Sequence, residues 1–113
     1  SVMQVDVPVG SGVPPHVHAK EEEGYFVLEG ELWLSIGDTE RRLGPGGFGH
    51  VPAGVVHGYR NPGAAAVRFL AWTVGGPIDE FFQEMSERVH AMPADAPAMM
   101  EITQRYGVTM VGR

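Results

Sequence analysis

Two histidines and a run of glutamates near the start of the chain are the residues best suited to chemistry. His16 and His18 are two positions apart in the stretch GSGVPPHVHAKEEEGYFVLEG, which spans residues 10–30. Residues i and i+2 of a β-strand point to the same face, so both imidazoles can converge on one point. A short polar turn then leads to Glu23, at the start of an apolar run. Two imidazoles and a carboxylate suit iron, manganese, nickel, zinc or copper, so we predict a metal site with a fourth ligand elsewhere.

A later stretch, GGFGHVPAGVVHGYRN, supplies the fourth candidate ligand, His57, after a Pro-Ala-Gly turn. Together the two stretches resemble the paired signatures of the cupin superfamily. The anchors of the first signature, with the residues between them, are Gly10, five residues, His16, one residue, His18, four residues, Glu23, six residues and Gly30. The anchors of the second are Gly46, five residues, Pro52, one residue, Gly54, two residues, His57, three residues and Asn61. Two long motifs in this order are far more specific than a single pair of histidines.

The resemblance implies an all-β fold, a double-stranded β-helix of the jelly-roll type with glycine-rich turns between its strands. It further implies that the interior of this barrel holds one divalent transition-metal ion (Fe, Mn, Ni, Cu or Zn). The implied ligands are His16, His18, Glu23 and His57. The downstream FFQEM segment and the RYG end of the next helical pattern are similar to those of small, single-domain, quercetinase-like cupins of bacteria.

The function that the resemblance implies is that of a dioxygenase acting on a small enolisable or hydroxy-aromatic molecule. In quercetinase-like relatives the glutamate is both metal ligand and base, and Glu23 would have that catalytic role here. A second hypothesis is metal-dependent isomerisation, cyclisation or decarboxylation without oxygen, because cupins share one fold and site among many reactions. A third hypothesis is a protein that binds a small ligand without turning it over.

The run of three glutamates leaves the identity of the carboxylate ligand open. Glu23 alone keeps six residues before Gly30, and Glu22 remains an alternative ligand. We expect Glu21 to lie in a solvated acidic turn, since acids are almost never fully buried unless they are paired.

Several other side chains receive more modest predictions. Tyr25, Phe48 and Tyr59 are candidates for the wall of a substrate pocket, while Phe48, Tyr59, Phe69 and Trp72 are also expected to form barrel core. Trp33 lies on the polar side of its strand and is a candidate for a dimer contact or for cover by the C-terminal helix. His50 is expected to be exposed, and His90 is expected to interact with the end of a helix.

Composition limits the partners of the protein. The chain has 113 residues and a net charge of −6, so it offers no basic surface for nucleic acid or for an anionic membrane. It contains no cysteine, which excludes thiolate metal sites and disulfides. No apolar stretch reaches the roughly 20 residues of a membrane span. We expect a cytoplasmic protein that acts on a small molecule, and a homodimer that associates through its sheets.

The order of patterns predicts one domain in two parts. Sixteen glycines and nine prolines separate short β-prone runs, which is typical of a barrel or sandwich over residues 1–76. From residue 77 to residue 113 the pattern favours a helical extension, with an amphipathic helix from Ile78, a second helix over residues 98–106 and a short extended piece. Residues 1–9 already alternate as a strand. Either a segment before Ser1 is missing, or Met3 follows a short artificial leader.

Overall fold

The computed structural model describes residues 1–91 and 93–111, and within them the chain forms two antiparallel sheets followed by a helical pair. The strands are β1 (Val2–Val7), β2 (Gly12–His18), β3 (Glu22–Glu29), β4 (Leu32–Ile36), β5 (Thr39–Leu43), β6 (Phe48–Val51), β7 (His57–Arg60), β8 (Val67–Val74) and β9 (Val108–Met110). The helices are α1 (Ile78–Arg88) and α2 (Ala96–Arg105).

One sheet has the strand order β1-β8-β3-β6 and the other has the order β5-β4-β7-β2-β9. Consecutive strands β2 and β3 lie in different sheets, so the chain passes from one layer to the other within a few residues. The predicted fold class, a double-stranded β-helix with a C-terminal helical extension, is confirmed. None of the described helices is long and apolar enough to cross a membrane.

Period-2 alternation along the strands builds the core between the two sheets. Leu32 and Leu34 of β4 face Val27 of β3 and Val67 and Phe69 of β8, and each of these side chains is almost completely removed from water. Burial of each such side chain contributes roughly 1.5–3 kcal/mol relative to exposure. This core joins the two sheets, and part of it lines the same cavity as His16 and His18.

The last glycine of the first motif, Gly30, determines the backbone turn that leads into β4. Gly30 has a φ of +80°, and a Cβ there would lie 2.7 Å from the carbonyl oxygen of Ala66. Both the left-handed backbone and the close approach of the chain require glycine at this position.

The helical extension packs through a small apolar cluster of its own and then rejoins the barrel. Ile78 and Phe81 of α1 meet Ile102 of α2 and Val108 of β9. Strand β9 pairs with β2, with Val108 opposite His18 and Met110 opposite His16. The extension therefore borders the strand that carries two candidate ligands.

The structure differs from the sequence predictions for two aromatic side chains. Phe48 is 50% exposed, and its ring stacks on Trp72 on the outer face of the sheet, with ring centroids 5.7 Å apart. The inward position of β6 next to Phe48 is Gly49, where a Cβ would lie 2.6 Å from Leu34 Cδ2. The prediction that Phe48 and Trp72 belong to the barrel core is wrong, because glycine and leucine share the interior position.

Trp33 lies on the outer face of the five-stranded sheet. The guanidinium groups of Arg42 and Arg60 lie over its ring, 4.1 and 4.6 Å from the ring centroid. Cation–π contacts of this kind stabilise the position of the indole. Neither α1 nor α2 covers it, and a dimer contact through Trp33 remains a prediction.

Candidate metal centre

The four side chains with the cupin spacing converge between the two sheets. His16 and His18 come from β2, His57 from β7 and Glu23 from β3, and one ligand atom from each lies within 4.8 Å of those of the others. His16 and His57 are paired across neighbouring strands, which brings their rings together. The carboxylate approaches from the opposite sheet, so the cluster forms only when the barrel closes.

Each of two histidines has one ring nitrogen fixed by a backbone carbonyl. Nδ1 of His16 lies 2.8 Å from the carbonyl oxygen of Pro14, and Nδ1 of His57 lies 2.9 Å from that of Val55. Since a carbonyl only accepts, each Nδ1 carries the proton and donates it. The lone pair of a neutral imidazole then lies on Nε2, which is free to bind a metal.

Glu23 occupies the centre of the cluster. One of its oxygens, Oε2, contacts Nε2 of His57 and lies 4.0 Å from Nε2 of His18. The hydroxyl of Tyr25 donates a hydrogen bond of 3.3 Å to the same oxygen. The carboxylate is therefore held between imidazoles on one side and a buried phenol on the other.

Burial and charge set the protonation states of the metal-free cluster. Burial lowers the pKa of His18 from 6.5 to about 4, and it also lowers the pKa of His16. Burial by itself would raise the pKa of Glu23, but the hydrogen bond and charge of His57 outweigh it and lower that pKa. Burial opposes the charged form of His57, whereas Glu23 and the Val55 carbonyl raise its pKa. These shifts favour an ionised Glu23 and neutral His16 and His18, whereas the raised pKa of His57 favours its protonated form, so a metal ion that binds His57 would displace that proton.

The donor set fits a transition-metal ion. Three imidazole nitrogens and one carboxylate oxygen suit first-row divalent metals, and four protein ligands leave positions of an octahedral ion open to a small molecule. A closed structural zinc site would instead carry mostly thiolates, and the chain contains no cysteine. The arrangement is a plausible single metal site.

The cluster opens into an apolar cavity of about 280 Å³. Barrel and extension both contribute walls, which include Tyr25, Tyr59 and Phe69 from the strands and Phe81, Met85 and Met99 from the helices. The volume lies near the lower limit of ligand pockets, roughly 300–1,000 Å³. The cavity is suited to a small ligand with an apolar body.

The structure places the predicted site residues unequally. Tyr25 and Tyr59 line the cavity, whereas Phe48 points away from it and the prediction of a pocket role for Phe48 is wrong. Glu22, the alternative ligand, is on the outer face, where its Oε1 lies 3.0 Å from Nε2 of the exposed His50. The carboxylate that joins the histidines is that of Glu23.

The burial of two polar residues near the site was not predicted from the sequence. Glu21 is only 2% exposed, so the prediction of a solvated turn is wrong. Thr73 lies opposite Glu23 on β8, and its buried hydroxyl lines the cavity without a hydrogen-bond partner among the described residues. Period-2 alternation with Phe69 and Ala71 could have indicated that Thr73 faces inward. No local signal marked Glu21, because its burial depends on residues far along the chain.

Comparison with known proteins finds similarity over the strands that carry the cluster. The family model described as "Cupin domain" matches residues 3–73, which is more than half of the chain. Quercetin 2,3-dioxygenase of Bacillus subtilis (strain 168) is 29% identical over 100 residues, covering 87% of this chain but only 29% of that protein.

Solved structures share the fold. The TT1209 protein of Thermus thermophilus matches with a TM-score of 0.63 and 34% identity over 66% of this chain and 70% of its own. A predicted oxalate decarboxylase from Thermotoga maritima also gives 0.63, with 27% identity over 66% of this chain and 64% of its own. The names of the Bacillus subtilis and Thermotoga maritima relatives give two different activities, so similarity alone does not identify the reaction of this chain.

Proposed function

Because this chain belongs to the cupin domain family, we propose that it is a metal-dependent dioxygenase for a small enolisable or hydroxy-aromatic substrate. His16, His18, Glu23 and His57 would hold one divalent transition-metal ion. A redox-active ion bound there would supply Lewis acidity and a centre for reaction with dioxygen. Both oxygen atoms would enter the substrate, which is itself the reductant, so the reaction needs no other electron donor.

The observation that carries this proposal is the contrast between the four-ligand cluster and the cavity beside it. One polar end, formed by the imidazoles and Glu23, meets walls of aromatic rings and methionines. A molecule with an apolar ring and one or two oxygens at its edge matches both parts. Aromatic walls favour a flat substrate, and methionine side chains adapt to its outline.

Glu23 is the residue that we assign to proton transfer. Its pKa is lowered in the metal-free cluster, so it begins as a carboxylate and can accept a proton from a substrate hydroxyl. The loss of that proton makes the substrate electron-rich and ready for oxidation. Tyr25 donates to Glu23 Oε2 and orients the carboxylate, while the apolar walls exclude water from the reacting atoms.

A second candidate function is non-redox chemistry at the same site, such as decarboxylation or isomerisation. The likeness to the predicted oxalate decarboxylase favours it. A divalent ion would pair with one carboxylate of a small dicarboxylate, but the described lining of the cavity contains no lysine or arginine to pair with the second among the apolar side chains. An uncharged enol or phenol is therefore our first choice.

The test begins with elemental analysis of protein purified without chelators. The protein is then loaded separately with iron, manganese, nickel, copper or zinc, and oxygen uptake is followed with flavonols, catechols and 1,3-diketones. We expect uptake with at least one hydroxy-aromatic or enolisable compound. In the Glu23→Gln variant the rate should fall by about 10²–10⁴-fold, the usual contribution of a general base.

His50→Ala is the matched control, because His50 lies outside the barrel and should leave the rate unchanged. Carbon dioxide release from oxalate without oxygen uptake would favour the second candidate. A wild-type protein that takes up none of the five metals would contradict both enzyme hypotheses and leave simple ligand binding.

A further inference from the structure

We propose that Glu21 is a positioning residue for the metal centre, whose buried carboxylate accepts the Nδ1 proton of His18 and so directs Nε2 of His18 toward the bound ion. Glu21 is outside the four-ligand set, and its Oε1 lies 3.6 Å from Nδ1 of His18. The inference rests on the proposed metal centre and assigns it a fifth side chain.

The argument starts from the other two histidines. His16 and His57 each have Nδ1 held by the carbonyl two residues earlier in the chain, at 2.8 and 2.9 Å. His18 has no such carbonyl partner for Nδ1 within the described residues. Nδ1 of His18 instead faces Oε1 of Glu21. A carboxylate oxygen thus takes the place that a backbone carbonyl oxygen has at His16 and His57.

The two facing atoms are each without another partner. Nδ1 of His18 and Oε1 of Glu21 are both fully buried, and neither makes a hydrogen bond to any other group that the structure describes. At 3.6 Å they lie just beyond the distance of a good hydrogen bond. Buried polar groups are rarely left unpaired, so this pair is the natural partner for both atoms.

The other ring nitrogen of His18, Nε2, faces the carboxylate at the centre of the cluster. Nε2 of His18 points to Glu23, at 4.0 Å from Oε2. With the proton on Nδ1, the lone pair on Nε2 faces the centre of the cluster. Carboxylates that fix the tautomer and orientation of a metal-binding histidine typically affect metal affinity by about 10–100-fold.

The fold makes a dedicated space for the Glu21 carboxylate. The chain between β8 and α1 passes over it at Gly76, where a Cβ would overlap the carboxylate. A glycine at this junction allows the backbone to enclose an acid that would otherwise be solvated. The turn after β2 and the segment between β8 and α1 therefore together enclose the Glu21 side chain.

The experiment compares two changes at Glu21 with the same changes at its exposed neighbour. Glu21→Gln keeps a carbonyl oxygen that can accept from Nδ1, whereas Glu21→Leu removes the acceptor at similar volume. Glu22→Gln and Glu22→Leu are the controls. Cobalt(II) is the probe, and its dissociation constant and visible absorption spectrum are measured for each protein.

We expect Glu21→Leu to weaken cobalt binding by about 10–100-fold and to change the absorption spectrum, with Glu21→Gln in between. The Glu22 variants should bind within about twofold of wild type. Metal-free Glu21→Leu should unfold at a somewhat lower temperature than wild type, because it leaves the buried Nδ1 of His18 without a partner. A purely structural role of Glu21 would lower the unfolding temperature but leave the cobalt affinity and absorption spectrum of the folded fraction unchanged, which would overturn the proposal.

The tautomer of His18 gives a readout that needs no metal. Imidazole nitrogen NMR of the metal-free protein should show the proton on Nδ1 in wild type, and a mixture or the Nε2 form in Glu21→Leu. An unchanged tautomer in Glu21→Leu would also overturn the proposal. If wild type bound no cobalt, the proposed metal centre would fail, and the tautomer measurement would still decide whether Glu21 orients His18.

Discussion

His16 and His57 occupy directly paired positions of β2 and β7, and their imidazole centroids lie 4.3 Å apart. Each ring is anchored through Nδ1 to the carbonyl two residues earlier in the chain, so the two Nε2 atoms are aimed at the same region without a bond between the rings. A metal ion that binds both nitrogens therefore links the two strands, in addition to joining the sheets through Glu23.

Metal binding should stabilise the folded protein. An ion that binds only the folded state at 100 times its dissociation constant adds about 2.7 kcal/mol. We expect excess zinc or manganese to raise the melting temperature of chelator-treated wild type and of His50→Ala by the same amount. His57→Ala should lose this increase, since it lacks one of the four ligands. Differential scanning calorimetry with and without metal provides the measurement, and an undiminished increase in His57→Ala would contradict the assignment of His57.

Metal-free protein should lose stability in mild acid because of His18. Its pKa is 6.5 when unfolded and about 4 when folded, so the unfolded state binds more protons between these values. The stability that His18 contributes is present above pH 6.5 and is lost as the pH falls toward about 4, by up to roughly 1.4 kcal/mol per pH unit.

The raised pKa of His57 acts in the opposite direction, because protonation of that residue favours the folded state at lower pH. The two contributions are separated by comparing wild type with His18→Gln in urea titrations from pH 7 to pH 4, with chelator present. The variant should show the flatter dependence in acid. Parallel curves would mean that His18 is not buried in the neutral form.

Phe81 should contribute far more to the free energy of unfolding than its neighbour Phe82. Phe81 is 7% exposed and lies against Tyr106, with ring centroids 5.7 Å apart, whereas Phe82 is 44% exposed. Phe81→Ala should reduce the free energy of unfolding by about 3–5 kcal/mol, and Phe82→Ala by less than about 1 kcal/mol. Urea unfolding of both variants tests this difference, and equal losses would contradict the packing described for α1.

Gly76→Ala should disturb the metal centre from a distance. The added methyl group would overlap the Glu21 carboxylate, and overpacking of this kind usually costs about 1–3 kcal/mol. We also expect weaker cobalt binding, because Glu21 can no longer hold its position. Gly44→Ala is the control, since its methyl group would meet no described atom within 4 Å beyond its chain neighbours. Normal cobalt affinity in Gly76→Ala would argue against a link between Gly76 and His18.

The convergence of the four candidate ligands could be predicted from strand alternation together with the spacing of the two cupin motifs. His16 and His18 share a face through strand alternation, which follows from the backbone. The choice of Glu23 over Glu22 came from the resemblance, because only Glu23 has the signature's spacing to Gly30. The prediction that the four side chains meet required only the strand order that the two motifs imply.

The environment of the ligands could not be predicted in the same way. Three consecutive glutamates suggest a solvated turn, and what buries Glu21 is Gly76, which lies 55 residues further along the chain. The outward position of Phe48 likewise depends on the space that Leu34 takes beside Gly49. Such contacts depend on which distant segment of the chain packs against a residue. The type of the residue itself does not indicate that segment.

The pairing of β9 with β2 has a consequence for how the protein is made. Val108 follows His18 by 90 residues, so β2 leaves the ribosome long before its second neighbour in the sheet exists. During that interval one edge of β2 exposes unpaired backbone groups, which invite association with other chains. Translation that stops before residue 108 would leave that edge permanently open. The strand that carries half of the candidate ligands therefore remains an open edge of the nascent barrel until the last strand is made.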